Sequence, residues 1–192
     1  METFTVPVAF PPLKIVTPRL TLRQWRDSDA GPFAEMNADP RVMEFFPSTM
    51  TREKSDEMLA RCRDLIAVRG WGIWAVELRD TGEFIGFVGL HTPGYDLPFT
   101  PCVEIGWRLR ADVWGKGYCS EAARAALNAG FEQLGLDEIV AFTALPNRRS
   151  QAVMKKMGMT CDISENFNHP AVEKGNWLEE HCLYRLRRGD LT

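Results

Sequence analysis

What the chain lacks narrows its chemistry first. Its 192 residues contain no run of about 18 apolar residues, so no membrane-spanning helix is expected. Met1 to Pro12 has neither a basic n-region nor an unbroken apolar stretch, so no secretory leader is expected and a cytoplasmic location follows. A basic excess is also missing. With 23 Lys and Arg against 26 Asp and Glu the net charge is -3, and no local basic cluster compensates, which argues against direct nucleic-acid binding through phosphates. The five cysteines, Cys62, Cys102, Cys119, Cys161 and Cys182, are odd in number, scattered and free of C-x-x-C spacing. That suits reduced thiols and supplies no zinc site. His91, His169 and His181 lack ligand spacing as well, so no metal is expected and the three are read as structural or turn residues. Repeats and low-complexity segments are absent. What is present, 45% hydrophobic and 26% charged residues, predicts one globular domain over 1–192 with a proline-bearing, irregular lead-in at 1–16.

The hydrophobic periodicity sets out the elements. Thr17 to Trp25 alternates Leu20 and Leu22 against Arg19, Thr21 and Arg23, the period of a half-buried strand. Helices are predicted over Ala30–Asn37, behind the capping run Asp27–Asp29, and over Thr51–Val68, closed by Gly70 and Gly72. Trp71–Leu78, a turn at Asp80-Thr81-Gly82 and Phe84–Leu90 form a hairpin. The proline-rich loop His91–Cys102 leads to the strand Val103–Leu109, completing an antiparallel meander. A helix over Ser120–Leu134 and a strand over Ile139–Ala144 make a crossover unit with a parallel strand pair. Asn147 is placed to cap a last helix, Arg149–Met157, before strand candidates Thr160–Ile163 and Glu180–Leu186.

The most informative stretch is Trp114-Gly115-Lys116-Gly117-Tyr118-Cys119-Ser120-Glu121, where a strand hands over to a helix through two glycines. Free amides and the positive end of the helix dipole make such a turn an anion site, with phosphate the leading ligand; a tightly packed helix start is the plain alternative. It fails as a dinucleotide fingerprint, because Ser120 stands where the third glycine belongs and the acidic pair Asp137-Glu138 lies at the wrong end of the next strand. It also fails as a P-loop, since no G-x-x-x-x-G-K-[ST] is present.

The order of motifs resembles the GCN5-related N-acetyltransferase (GNAT) superfamily, in its RimJ/RimL-like branch, from Thr17 to about Arg187. Thr17-x-Arg19-Leu20-x-Leu22-Arg23 looks like the opening strand, Glu104-Ile105-Gly106-Trp107 the central strand, and Trp114-Gly115-Lys116-Gly117-Tyr118 the acetyl-CoA loop. Asn147-x-x-Ser150 with Lys156-x-Gly158, and His181-x-Leu183-Tyr184-x-Leu186, look like the helix and strand that follow. The resemblance implies an α/β fold: a mixed, mostly antiparallel sheet of six or seven strands flanked by helices, splayed between its fourth and fifth strands. It also implies acetyl transfer from acetyl-CoA to a primary amine, a protein N-terminus or a small molecule, by direct attack through a tetrahedral intermediate. Two positions depart from the superfamily pattern. Cys119 closes the loop where Gly or Ala is usual, and Met154 stands where many members carry a Tyr that protonates the leaving thiolate; methionine has no proton to give.

On that resemblance, the pyrophosphate belongs on the amides of Gly115, Lys116, Gly117, Tyr118 and Cys119, with Lys116 and Arg110 as nearby cations. The backbone of Ile105, Trp107, Arg108 and Leu109 would pair with pantetheine, and Asn147 and Ser150 would contact CoA. Glu104 is the candidate base, with an ion-paired surface carboxylate as its plain reading. Ser150 is the candidate to stabilise or protonate the leaving sulfur, with a role in the helix cap as its alternative. Trp71, Trp74 and Trp107 are core aromatics before they are tunnel walls, and Cys119 lacks the histidine partner of a nucleophile. The loop His91–Cys102 is the candidate specificity element. A non-catalytic acyl-CoA-binding sensor and a nucleotide-dependent enzyme are the competing functions, and oligomeric state is open, a homodimer included.

Overall fold

A computed structural model describes residues 11–191 of the chain. Four α-helices, α1 (Ala30–Ala38), α2 (Arg52–Arg69), α3 (Tyr118–Asn128) and α4 (Arg148–Lys156), flank one sheet. Its strands are β1 (Ile15–Val16), β2 (Leu20–Arg23), β3 (Ile73–Leu78), β4 (Phe84–His91), β5 (Glu104–Leu109), β6 (Glu138–Ala144), β7 (Thr160–Cys161), β8 (Phe167–Asn168) and β9 (Glu180–Arg187). They lie in the order β1-β2-β3-β4-β5-β6-β9-β7, with β8 also on β9, and only β5 and β6 run parallel. β1, β7 and β8 are two residues each, so the six longer strands are the sheet that the resemblance implies. Most of the lead-in, residues 1–10, lies outside the described residues; its end is not irregular, because Ile15 and Val16 pair with Leu22 and Thr21.

Alternation along the strands sorts the sheet into two working faces. Phe87, His91, Glu104 and Arg108 fall on one, through the pairs Phe87↔Arg108 and His91↔Glu104; Val88, Leu90, Ile105 and Trp107 fall on the other. Helices α1 and α2 cover the first face, where Phe33 packs edge-on against Phe87 and tilted against Trp25. α2 is held at its start by Thr51, whose hydroxyl accepts from the Lys54 amide at 3.3 Å, and ends at Gly70 in the left-handed region. It buries Leu59, Cys62 and Ile66 at helical spacing.

The second face carries α3, whose buried residues Ala122, Ala123, Ala126 and Leu127 are mostly small and let the helix sit close. Periodicity predicts that it continues to Leu134 as α-helix, but Ala129–Gln133 is a π-helical turn. The wider turn brings three successive residues, Ala129, Gly130 and Phe131, into the core, which α-helical spacing does not allow.

β4 and β5 pair along their whole length, from Gly86↔Leu109 to His91↔Glu104. β5 and β6 pair only at Glu104↔Val140, with the Val140 amide donating to the Val103 carbonyl at 2.9 Å. Beyond that point the two strands separate. This is the expected splay, and the edge of β5 from Ile105 onward is without a strand partner on that side.

Candidate acetyl-transfer site

The glycine turn lies just past the unpaired end of β5. Gly115 and Gly117 have φ of 76° and 82°, where an L side chain is strained, and both are exposed. Gly117 is the N-cap of α3 and offers no side chain to the first amides of that helix, which therefore point outward uncapped. Lys116 is exposed between the two glycines.

Residues about 100 positions earlier hold this turn. Glu121, in the first turn of α3, accepts from the Thr17 hydroxyl at 2.6 Å, the Arg19 amide at 3.0 Å and Arg19 Nε at 2.6 Å. Arg19 Nη1 also donates to the Lys116 carbonyl at 2.9 Å, and its guanidinium lies 4.6 Å from the Tyr118 ring centroid. Burial works to raise the Glu121 pKa, but the bonds from Thr17 and Arg19 outweigh it and hold the carboxyl below its ordinary value. The opening-strand motif thus works as a clamp on the turn, a role invisible at the level of local pattern. Arg110 departs from expectation. Its guanidinium is taken up by Asp112, at 2.7 and 3.1 Å, and by Glu83, so it is neutralised rather than free for an anion.

Glu104 and Ser150 approach the splay from opposite faces. Glu104 is 8% exposed, and His91 Nε2 lies 3.0 Å from its Oε2. Burial pushes the Glu104 pKa up, and the His91 bond opposes that rise. His91, read from the sequence as a structural or turn residue at the start of the loop, is the last residue of β4, and the β4–β5 register sets it opposite Glu104. On the other face, Trp107 Nε1 donates to Ser150 Oγ at 3.0 Å, linking β5 to α4 across the gap. The Asn147 side chain accepts from the Ser150 amide at 3.1 Å and donates to Thr143 Oγ1 at 2.9 Å, so Asn147 caps α4 while the Ser150 hydroxyl stays outside the cap.

The family model described as "Acetyltransferase (GNAT) domain" matches residues 19–160, well over half of the chain. The chain belongs to the GNAT acetyltransferase family. It is an acetyl-CoA-dependent N-acetyltransferase, with the splayed sheet of that family. An uncharacterized N-acetyltransferase, YnaD, of Bacillus subtilis (strain 168) is 32% identical over 171 residues, 88% of this chain and 94% of that protein. The crystal structure of an acetyltransferase from Agrobacterium tumefaciens str. C58 superposes with a TM-score of 0.75 at 28% identity, covering 96% of this chain and 99% of that one. Mycobacterium smegmatis RimJ in complex with CoA-disulfide gives a TM-score of 0.73 at 20% identity over 92% and 88% of the two chains, a likeness of fold to the expected branch.

Against the family pattern, Met154 is 2% exposed in the core and offers no acid. Burial pushes the Cys119 thiol up to about 12, which removes it as a nucleophile at neutral pH. Trp74 is fully buried, and Trp71 stacks under the Arg69 guanidinium at 4.0 Å. The loop between β4 and β5 is pinned by buried Leu97 and by Phe99, whose ring meets Phe142 and Phe167 over the first face of the sheet. His169 and His181 join that aromatic group, their rings 4.8 Å apart, and burial pushes His181 down to about 4. No group of three or more potential metal ligands occurs among the described residues. Nor is any helix among them long and apolar enough to cross a membrane.

Proposed function

We propose that the enzyme transfers acetyl from acetyl-CoA to a primary amine that approaches from the Glu104 face of β5, while the thiolate leaves toward Ser150 on the opposite face. The observation that carries this reading is the position of the two groups: Glu104 is the β5 residue at which pairing with β6 ends, and Ser150 on α4 is bonded to Trp107 just beyond it. The residues present fit the donor. Uncapped amides and two left-handed glycines suit a pyrophosphate, Lys116 supplies a cation, and the free edge of β5 suits pantetheine amides, as an added strand would. The helix dipole contributes at most about 2 kcal/mol to such a site, so explicit hydrogen bonds to the turn must supply most of the phosphate affinity.

The chemistry follows from these groups. The thioester supplies an activated acetyl carbon; the amine nitrogen bonds to that carbon to give a tetrahedral intermediate, which collapses as the C–S bond breaks and the thiolate leaves. Glu104, through a water, takes the proton that the amine loses, and the Ser150 hydroxyl donates to the departing sulfur. A neutral amine is required, and an α-amine with a pKa of about 8 reaches that form more readily than a lysine at about 10.4. The test is release of free CoA from acetyl-CoA over a panel of peptide α-amines and small amines, with acetylated product read by mass spectrometry. CoA bound without turnover of any amine would point instead to an acyl-CoA-binding module.

The clamp gives a second expectation. Arg19→Ala releases the Lys116 carbonyl and one of the three Glu121 contacts, so KM for acetyl-CoA rises roughly tenfold, about 1.4 kcal/mol, with kcat nearly unchanged. Initial rates at saturating amine measure both constants. An unaltered KM would leave the pair as surface salt bridge only.

A further inference from the structure

Among the described residues, Arg108 is a buried cation without a counter-ion. It is 7% exposed on β5, and none of its contacts among the described residues is a carboxylate. Its Nη1 donates to Asn37 Oδ1 at 2.6 Å, and Asn37 Nδ2 donates in turn to the buried Ser55 hydroxyl at 2.9 Å. The guanidinium lies 4.2 Å from the Phe46 ring centroid and 5.3 Å from that of Phe87. One nitrogen and one face are therefore fixed. Yet Nε is enclosed with no hydrogen-bond partner, and Nη2 makes none among the described residues.

The other arginines give the comparison. Arg23, 5% exposed, sends Nη1 and Nη2 to Asp29 and Nε to Glu77. Arg185 and Arg41 present the Nε/Nη2 edge to Glu165 and Asp39. That edge is a flat two-donor fork matched to a carboxylate, and a buried charge left unpaired is costly to the fold. At Arg108 alone among these, the fork meets no carboxylate among the described residues, with Nε covered by protein atoms and Nη2 the nitrogen that is neither bonded nor enclosed.

Its place in the fold says what would fill it. Arg108 shares the α1–α2 face of β5 with Glu104, about 13 Å along the strand at 3.3 Å per residue, and Gly106 between them adds no side chain. Phe46, in the segment joining α1 to α2, covers the guanidinium and keeps 38% of its own surface exposed. We propose that Nη2 of Arg108 receives a carboxylate of the acceptor, so that the acceptors are amino acids and related amines carrying a carboxylate a few bonds from the reacting nitrogen. This rests on the amine-acetylation reading above and names its substrate class.

The test begins with the wild-type enzyme. α-, β- and γ-amino acids are each compared with their amides and decarboxylated amines, at saturating acetyl-CoA, reading CoA release and acetylated product. The expected result is a kcat/KM at least about thirtyfold higher for one of the acids than for its amide. Arg108→Met then removes the preference, lowering the acid-to-amide ratio of kcat/KM by a similar factor. Asn37→Asp supplies the missing carboxylate from inside the protein, and the preference shrinks with Arg108 still present. Equal rates for acids and amides in the wild-type enzyme overturn the inference and leave amine acetylation standing. So does an Arg108→Met enzyme whose melting temperature falls while acid and amide decline together, which makes Arg108 a structural cation. Should Arg108→Met not fold, the wild-type pairs and Asn37→Asp decide alone. If no amine in any class is acetylated while acetyl-CoA binds, the underlying reading fails and the inference with it.

Discussion

Glu104→Gln lowers kcat by about 10² to 10⁴, the span of a positioned general base, while CoA affinity stays within about twofold. Gln keeps the shape of the side chain and can still accept from His91 Nε2, so the change removes proton acceptance with little loss of packing. The pH profile identifies the group. A base works only when deprotonated, so kcat/KM rises with pH through the Glu104 pKa, and burial puts that limb above the ordinary carboxylate value. The His91 bond pulls the other way; removing it with His91→Ala moves the limb to still higher pH. Stability carries the same sign. The folded state holds the Glu104 proton more tightly than the unfolded chain, so this contribution is complete below the ordinary carboxylate value and is lost as pH rises through the raised one. A Glu104→Gln enzyme with kcat within about threefold of wild type and an unshifted profile would leave Glu104 a buried ion-pair partner and move the base elsewhere.

Local periodicity and local chemistry made much of this legible before any coordinates. The meander of β3, β4 and β5, the Thr51 cap, the Asn147 cap and the two-glycine turn are all determined by residues within a few positions of one another. The splay was different: it came from the order of motifs, since no period encodes where two strands cease to pair. A two-residue strand such as β8 is too short for any period to register, whereas β7 lies within the candidate Thr160–Ile163. The groups that build the site meet across long separations. Thr17 reaches Glu121 over 104 positions, and Arg108 reaches Asn37 over 71. Arg110 shows the converse: it looks like a free cation in sequence and is taken up by Asp112, two residues on, and by Glu83, which the β4–β5 pairing brings near. His91 belongs with these, because the long loop between β4 and β5 leaves the register that sets it opposite Glu104 unfixed by any turn.

Ser150→Ala separates the two meanings that the sequence left joined at that residue. The cap of α4 uses the Ser150 amide, which Ala retains, so the Asn147 bond survives and stability changes little. Asn147→Ala is the change that costs the cap, about 1 kcal/mol. The hydroxyl, by contrast, accepts from Trp107 Nε1, so its own proton is free to turn toward the gap between β5 and β6. A hydrogen bond to a charged group is worth about 1.5–3 kcal/mol, so its loss from a departing thiolate lowers kcat roughly 10- to 150-fold. Met154 cannot compensate, being buried and without a proton. The decisive reading is the dependence on leaving group. An acetyl thioester of an acidic aromatic thiol departs without help, so wild type and Ser150→Ala converge on that donor and diverge on acetyl-CoA. Trp107→Phe frees the hydroxyl to point elsewhere and gives a smaller loss with the same convergence. Equal losses on both donors would place the defect in binding geometry, and the proton for sulfur would then have to come from solvent.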